Sequence, residues 1–534
     1  MKGLMATSAH KATISFLLFV AFQAVPANAH GQSSASGQEE YSRAEALVQS
    51  HHSDEGLNIL NHLLTTDPSN LKALNLAGIA SSSQGDTQQA DRYFERALKL
   101  DPRFLPALKN LSISEFNAHQ YSLAEKHLLA AQQQLPNDVI INFYLGEIAY
   151  NEQKFSLAAE RLSRAAQFAK QDPKLNALLA VSLLRGGKKQ QALHLLHQIE
   201  PSALDAQSQL QVGVALADAD CNDQAVPFFA AAFANAPGSY DAGFDLALAC
   251  VRAKQYPTAI ETMQELIGGS HDSSELENLL GEAYAASGVT SKALDAYREA
   301  IALDPSDESN YLDLASLCMD HHAFGDGLKV IAVGLNIYPE SSRLIFMRGV
   351  IEASQDNFDL AEKDFQQSAL LNPQHNFGTV GLGALYLERG NSGQALKVTR
   401  SQLEQKPDDP SLLYLLGEGL LLSGAAPGQP AFAEAQESLE KSVRINPSLC
   451  LPHVSLGSIY LAEERYADAA AQFEAARAID PNENSAYSHL AVSYRHLGQP
   501  EKTKEVLSAL KALLERERSG AWGQAKAPVV GEAQ

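Results

Sequence analysis

The sequence predicts an all-α protein, an α-solenoid of about fourteen stacked helix–turn–helix units, and three observations predict it. Prolines recur along the chain at one spacing. Small residues recur at one place inside each interval. Little sequence is left outside the intervals to build anything else.

The spacing comes first. Pro68, Pro102 and Pro136 lie 34 residues apart, as do Pro305, Pro339, Pro373 and Pro407, and again Pro447 and Pro481. Pro237 lies 68 residues before Pro305, with His271 at the midpoint. Most of these prolines follow Asp or Asn, which ends a helix, because the residue before proline is pushed out of the α region. Between them stands a small residue early in each second helix. It is Ala90, Ala124, Ala158, Ala192, Ala225, Ala259, Ala293, Ala361, Ala395, Ala435 and Ala469, with Gly56 and Gly327 in two further units and Thr503 in the last. Small residues there let two helix backbones approach closely, and Ala293 is expected to pack on Gly281.

Three units show the whole pattern. From Leu71 it runs Leu74, Ala77-Gly78, Ala90, Phe94, Ala97, Pro102. From Ser274 it runs Leu280-Gly281, Tyr284, Ala293, Tyr297, Ala300, Pro305, and from Cys450 it runs Leu456-Gly457, Tyr460, Ala469, Phe473, Ala476, Pro481. In these residues the chain resembles the tetratricopeptide repeat family along residues 37–517. The resemblance implies a right-handed superhelix of helical hairpins that binds other proteins. Leu74, Leu108, Tyr311 and Ile345 stand where the family has Trp, which thins the aromatic core.

The irregularities are local. Pro173 and Pro201 bound a shortened unit, and the interval from Pro407 to Pro447 is 40 residues, with the excess between Ser423 and Ala431. Pro257 falls in a first helical turn, where proline is tolerated, whereas Pro227 falls deeper and should bend its helix. Glu501–Arg518 reads as an amphipathic cap with Val506, Leu507, Leu510, Leu513 and Leu514 on one face.

The ends are read separately. Residues 1–38 hold no acid; Lys2 and Lys11 precede or flank an apolar run, Ile14–Phe22, and Ala27-Asn28-Ala29 supplies a small-residue cleavage site. That order is a secretory signal peptide over residues 1–29, so the mature chain should start at His30 and be periplasmic or secreted. The run is shorter than the roughly 20 residues of a membrane span, so no stable membrane insertion is expected after cleavage. Residues 30–36 are expected to be a disordered linker and 518–534 a disordered tail.

Chemistry is sparse. No HExxH, G-x-S-x-G, Walker A or CxxC pattern occurs, so no enzyme, cofactor or metal centre is expected. Cys318, Asp320, His321 and His322 fall at a turn, where adjacent histidines diverge and four ligands do not converge. His194 and His197 read as surface residues. In an oxidising compartment Cys221 and Cys250 could pair, while Cys250 and Cys318 are too far apart. A formal charge of −22 with no basic cluster argues against nucleic acid.

The resemblance implies that first helices present repeat positions 2, 5, 6 and 9 to a partner. Acids fill eight of these slots: Glu45, Glu147, Asp241, Asp245, Glu275, Glu282, Asp313 and Glu418. Bases fill four, Lys72, Lys109, Lys174 and Arg343. Phe143, Tyr144, Phe244, Phe346 and Tyr414 are interleaved, and Asn278 shares the acidic stretch. Only Lys109 with Asn110 hints at the Lys, Asn and Arg set with which some family members grip a terminal carboxylate. The partners expected are therefore neutral or cationic peptides or a partner's helix. The function expected is an exported interaction scaffold, in cell-envelope assembly or polysaccharide export. The alternative is a non-catalytic repeat subunit of a glycosyltransferase or other enzyme system.

Overall fold

The computed structural model describes residues 35–169, 172–269 and 271–518. The expected signal peptide, most of the linker and all but the first residue of the tail lie outside them. Among the described residues are 28 α-helices and one 3-10 turn, from Ala35–Gln49 to Pro500–Arg518, with no strand. They pair in order into hairpins, and the chain divides into two compact units, residues 1–271 and 272–534, of seven hairpins each.

Most junctions between hairpins are built by the residues around the periodic proline. Where Asp or Asn precedes it, that residue ends the second helix, and its side chain can accept the N–H two residues on. Asp101 takes Arg103 N at 2.9 Å, Asp304 takes Ser306 N at 2.9 Å and Asp480 takes Asn482 N at 2.9 Å. Proline fixes the next φ of this turn and needs no donor. The following helix then starts on its own cap: Asn70 on Ala73 N, Asp138 on Ile141 N, Ser341 on Leu344 N. Such caps stabilise a helix by about 1 kcal/mol each. The turn within each hairpin needs one left-handed residue. Gly supplies it at Gly85 (φ 83°) and Gly288 (φ 74°), but Gln153 (φ 60°) and Lys254 (φ 58°) adopt it with a side chain.

The small positions pack as the sequence predicts, with one correction. All eleven alanines early in the second helices are no more than 1% exposed. They lie on the first helix's backbone: a Cβ added at the equivalent Gly56 would sit 3.2 Å from the Ala44 carbonyl oxygen. The first-helix glycine, however, is closed by an aromatic ring one turn further along the second helix. A Cβ on Gly281 would lie 2.7 Å from the Tyr297 ring, on Gly78 2.4 Å from Phe94, and on Gly457 2.7 Å from Phe473. Ala293 is therefore not what restricts Gly281; Tyr297 is, because a helical Cβ points to the turn that the larger side chain covers.

The core is a run of local clusters. In the first unit Leu74, Phe94 and Leu111 belong to one, and Leu108, Leu128 and Ile141 to the next. In the second unit Phe365, Leu382 and Leu385 form one, and Leu456, Phe473, Leu490, Val506 and Leu513 another. The cap helix differs from the expectation. Val506 and Leu513 are buried and Leu510 is half-buried, but Leu507 and Leu514 are 42% and 38% exposed. A last helix has a neighbour on one side only, which narrows its apolar stripe.

The irregular stretches follow the sequence. The shortened unit pairs Pro173–Arg185 with an eight-residue helix, Lys189–Leu196, before the 3-10 turn Pro201–Ala203. The long interval opens a loop between Pro410–Leu422 and Pro430–Ile445. Pro257 sits second in its helix, and Pro227 sits inside Asn222–Asn235 on the exposed side.

Candidate protein-binding face

In both units first helices approach the first helices of adjoining hairpins, as Ala35–Gln49 does Leu71–Ser83 and Ser342–Ala353 does Phe377–Glu388. Second helices make no comparable approach to one another among the described residues. Two layers related in this way curve, with the first-helix layer inside. The slots expected to face a partner lie on this layer, and each unit holds its own set.

In the first unit, helix Val139–Asn151 carries Phe143, Tyr144 and Glu147. Tyr144 meets Phe143 at 5.4 Å and Phe116 at 5.0 Å between ring centroids, both edge to face. Glu147 is half-buried, and burial pushes its carboxyl up to about 7. Burial, with the Glu147 charge, pushes the Tyr144 hydroxyl up to about 12. Three hairpins later, helix Tyr240–Arg252 carries Asp241, Phe244 and Asp245. Phe244 stacks on Tyr240 at 5.7 Å. Burial, aided by Asp241, pushes Asp245 up to about 6, while Asp241 itself is exposed. Lys109 is held by the cap carboxylate of Asp138 at 2.8 Å and Asn110 by Asn75 at 2.9 Å. Neither is available to clamp a terminal carboxylate.

In the second unit, Asn278 donates to the Asp313 carboxylate at 2.9 Å and to Asn310 at 3.0 Å. Burial raises the Asp313 carboxyl, against the hydrogen bond from Asn278 and the nearby Arg343 charge. Arg343, exposed, reaches Glu308 at 3.9 Å. Glu275 and Glu282 are exposed on the same helix as Asn278. Phe346 packs on Phe365 at 5.4 Å and Phe377 at 5.9 Å. Tyr414 is half-buried, its hydroxyl pushed up by burial and by the Glu418 charge, and Glu418 accepts a hydrogen bond from Ser455 at 2.6 Å.

Sequence reasoning did not single out Phe116, Tyr240, Phe377 or Glu277. Tyr240 and Phe244 are four apart on one helix, a signal that was present. Phe116 reaches Tyr144 only through the stacking of hairpins, which one-unit patterns do not show. Glu277 occupies the family's Trp position as a buried carboxyl, pushed up to about 7 by burial and by Asp272 and Glu299. Among the described residues no group of three His, Cys, Asp or Glu side chains converges, and Cys221, Cys250, Cys318 and Cys450 are free thiols. Cys318 is buried, while His321 turns to Thr290 at 3.0 Å.

A family model described as Tetratricopeptide repeat matches residues 109–174, 213–275, 244–308 and 454–521, and a second of the same description matches 71–104. Among solved structures, yeast Tom70 is 16% identical over 84% of this chain and 96% of that chain, with a TM-score of 0.40. A tetratricopeptide repeat protein from Parabacteroides merdae ATCC 43184 is 20% identical over 48% and 98%, with a TM-score of 0.39. The APC/C hetero-tetramer Cut9–Hcn1 gives 12% identity over 86% and 96%, with a TM-score of 0.35. No curated protein matches the chain significantly.

Proposed function

This chain belongs to the tetratricopeptide-repeat family, a scaffold for protein–protein interaction, and from that premise we propose that its first-helix face binds segments of other proteins without catalysing a reaction. One observation carries the reading. On that face the chain spends half-buried aromatic rings and carboxylates that its own packing leaves incomplete, Tyr144 with Glu147 and Phe244 with Asp245. Rings give a partner residence time, and the carboxylates favour neutral or cationic segments. The order of Lys2, the run Ile14–Phe22 and Ala27-Asn28-Ala29 supports export, and with it a role in the cell envelope, in assembly or polysaccharide export. No helix among the described residues is long and apolar enough to cross a membrane.

Photo-crosslinking tests the face. A crosslinker replacing Phe143 in the first unit or Phe346 in the second should capture a partner from envelope extracts, whereas one replacing the exposed second-helix Leu360 should not. Capture from Leu360 alone would move the binding surface to the other layer. Reversing Asp241 and Asp245 to Lys should slow association with that partner and flatten its salt dependence, since charges on this face act over about 8–10 Å. Mass spectrometry of the mature N-terminus should find His30; an intact Met1 on cytoplasmic material removes the export reading.

A further inference from the structure

Glu147 is a carboxylate with no visible purpose in the fold. It sits three residues beyond Tyr144, on the same face of helix Val139–Asn151. Burial alone accounts for its raised pKa; no hydrogen bond or neighbouring cation contributes. Four cations on or beside the helices packed around it are engaged elsewhere: Lys109 with Asp138, Arg161 with Gln132, Arg164 with Glu160 and Lys154 with Glu152. On those helices Glu115 is paired with His127, while Lys126 is exposed and Glu125 half-buried on the second helix of the preceding hairpin. Beside Glu147, the rings of Phe143, Tyr144 and Phe116 meet edge to face.

The molecule completes a similar arrangement nearby with a cation of its own. The Arg185 guanidinium lies 5.8 Å from the Tyr150 ring and 5.7 Å from Phe155. Its charge lowers the Tyr150 hydroxyl pKa and that of Asp218 raises it, against the larger effect of burial, so a carboxylate charge is felt where the rings and the guanidinium meet. At Tyr144, Phe116 and Glu147 the rings and the carboxylate are present, and no cation among the described residues shifts the Glu147 carboxyl.

We propose that the Tyr144–Glu147 site receives the guanidinium of an arginine side chain presented by a bound protein segment. This deepens the protein-binding reading and rests on it. A guanidinium is flat enough to lie over the face of one of these rings while its N–H groups face the carboxylate. It is also less strongly hydrated than an ammonium, so it loses less on entering a half-buried site.

Calorimetry on the full chain tests this with a capped Ala-Ala-Arg-Ala-Ala peptide and its citrulline and lysine counterparts. At about pH 8, above the raised Glu147 pKa, the arginine peptide should bind about tenfold more tightly than the citrulline peptide, a difference of about 1.4 kcal/mol. The preference should shrink below pH 7, where a proton competes for Glu147, and vanish in Glu147→Gln. Tyr144→Phe, which keeps the ring, should retain it, and a helical circular dichroism spectrum matching the parent shows that the glutamine variant is folded. Equal affinity for arginine and citrulline overturns the proposal, and a lysine peptide as tight as arginine overturns the guanidinium assignment. Absence of binding by all three also overturns it. The scaffold reading would then still stand or fall on crosslinking at Phe143 and Phe346.

Discussion

A single carboxylate or a single glycine decides local stability in this chain, and two contrasts make that measurable. Burial pushes the Glu147 carboxyl from the ordinary glutamate value up to about 7. Its protonated form is the one burial favours, so the stabilisation is complete below the unfolded value and is lost as pH rises to about 7. Glu147→Gln removes that loss. The variant should be more stable than the parent above pH 7, by roughly 1–3 kcal/mol, and nearly equal near pH 4. Thermal melts across that range check it, and parallel curves at all pH values would count against a buried carboxylate. The glycines form the second contrast. A Cβ on Gly378 would lie 2.4 Å from the backbone at Ala369 N and Phe365 O, which cannot swing aside. Gly378→Ala should therefore cost about 1–3 kcal/mol. Gly393, also in a first helical turn, has open space around it, so Gly393→Ala should stabilise by roughly 0.4–1 kcal/mol. Denaturant midpoints of the two variants should move in opposite directions.

At the scale of the element, the hairpin turn stores avoidable strain. Gln153 and Lys254 hold φ near 60°, where a Cβ costs about 1–2 kcal/mol and glycine costs little. Other hairpins already place Gly85 or Gly288 there. Gln153→Gly should raise stability by roughly 0.5–1 kcal/mol, after the entropy that glycine loses on folding is subtracted. An unfolding midpoint that drops would show that the Gln153 side chain contributes more than its strain removes. The helices themselves were legible. Alanine early in the second helix and proline after Asp or Asn at most junctions marked the hairpins, whereas the Asn, Asp and Ser caps of the first helices emerged from the structure. The element-scale miss concerned Gly281, assigned to Ala293 but closed by Tyr297. A small pair twelve residues apart suggests a contact, yet only the direction of each Cβ shows which partner fills the space.

Across the whole molecule, stability should behave as a sum over neighbouring hairpins, since the core clusters are local within each unit. Ala293 is fully buried, so Ala293→Leu should overpack its hairpin and cost about 1–3 kcal/mol. Hydrogen exchange should accelerate in the helices Ser274–Ala286 and Thr290–Leu303 and their neighbours, and stay protected in Cys450–Ala462 and Tyr466–Ile479. Uniform loosening of all these helices would contradict nearest-neighbour stability.

The sequence by itself determined the repeat, its period, the helical hairpins and the prolines that join most of them. These depend on contacts within one unit or with the next in the chain, so they recur as a pattern of residue types. It also placed Phe143, Tyr144, Glu147, Phe244 and Asp245 in slots of the inner layer. Only the tertiary structure decided which of those side chains are already satisfied. Lys109 and Asp313 are engaged through other hairpins, at Asp138 and Asn278, whereas Glu147 is half-buried with burial as the sole cause of its raised pKa. The physical reason is that a charge's free energy depends on its solvent exposure and on partners some thirty residues away. Neither is a property of the residue's own place in the repeat.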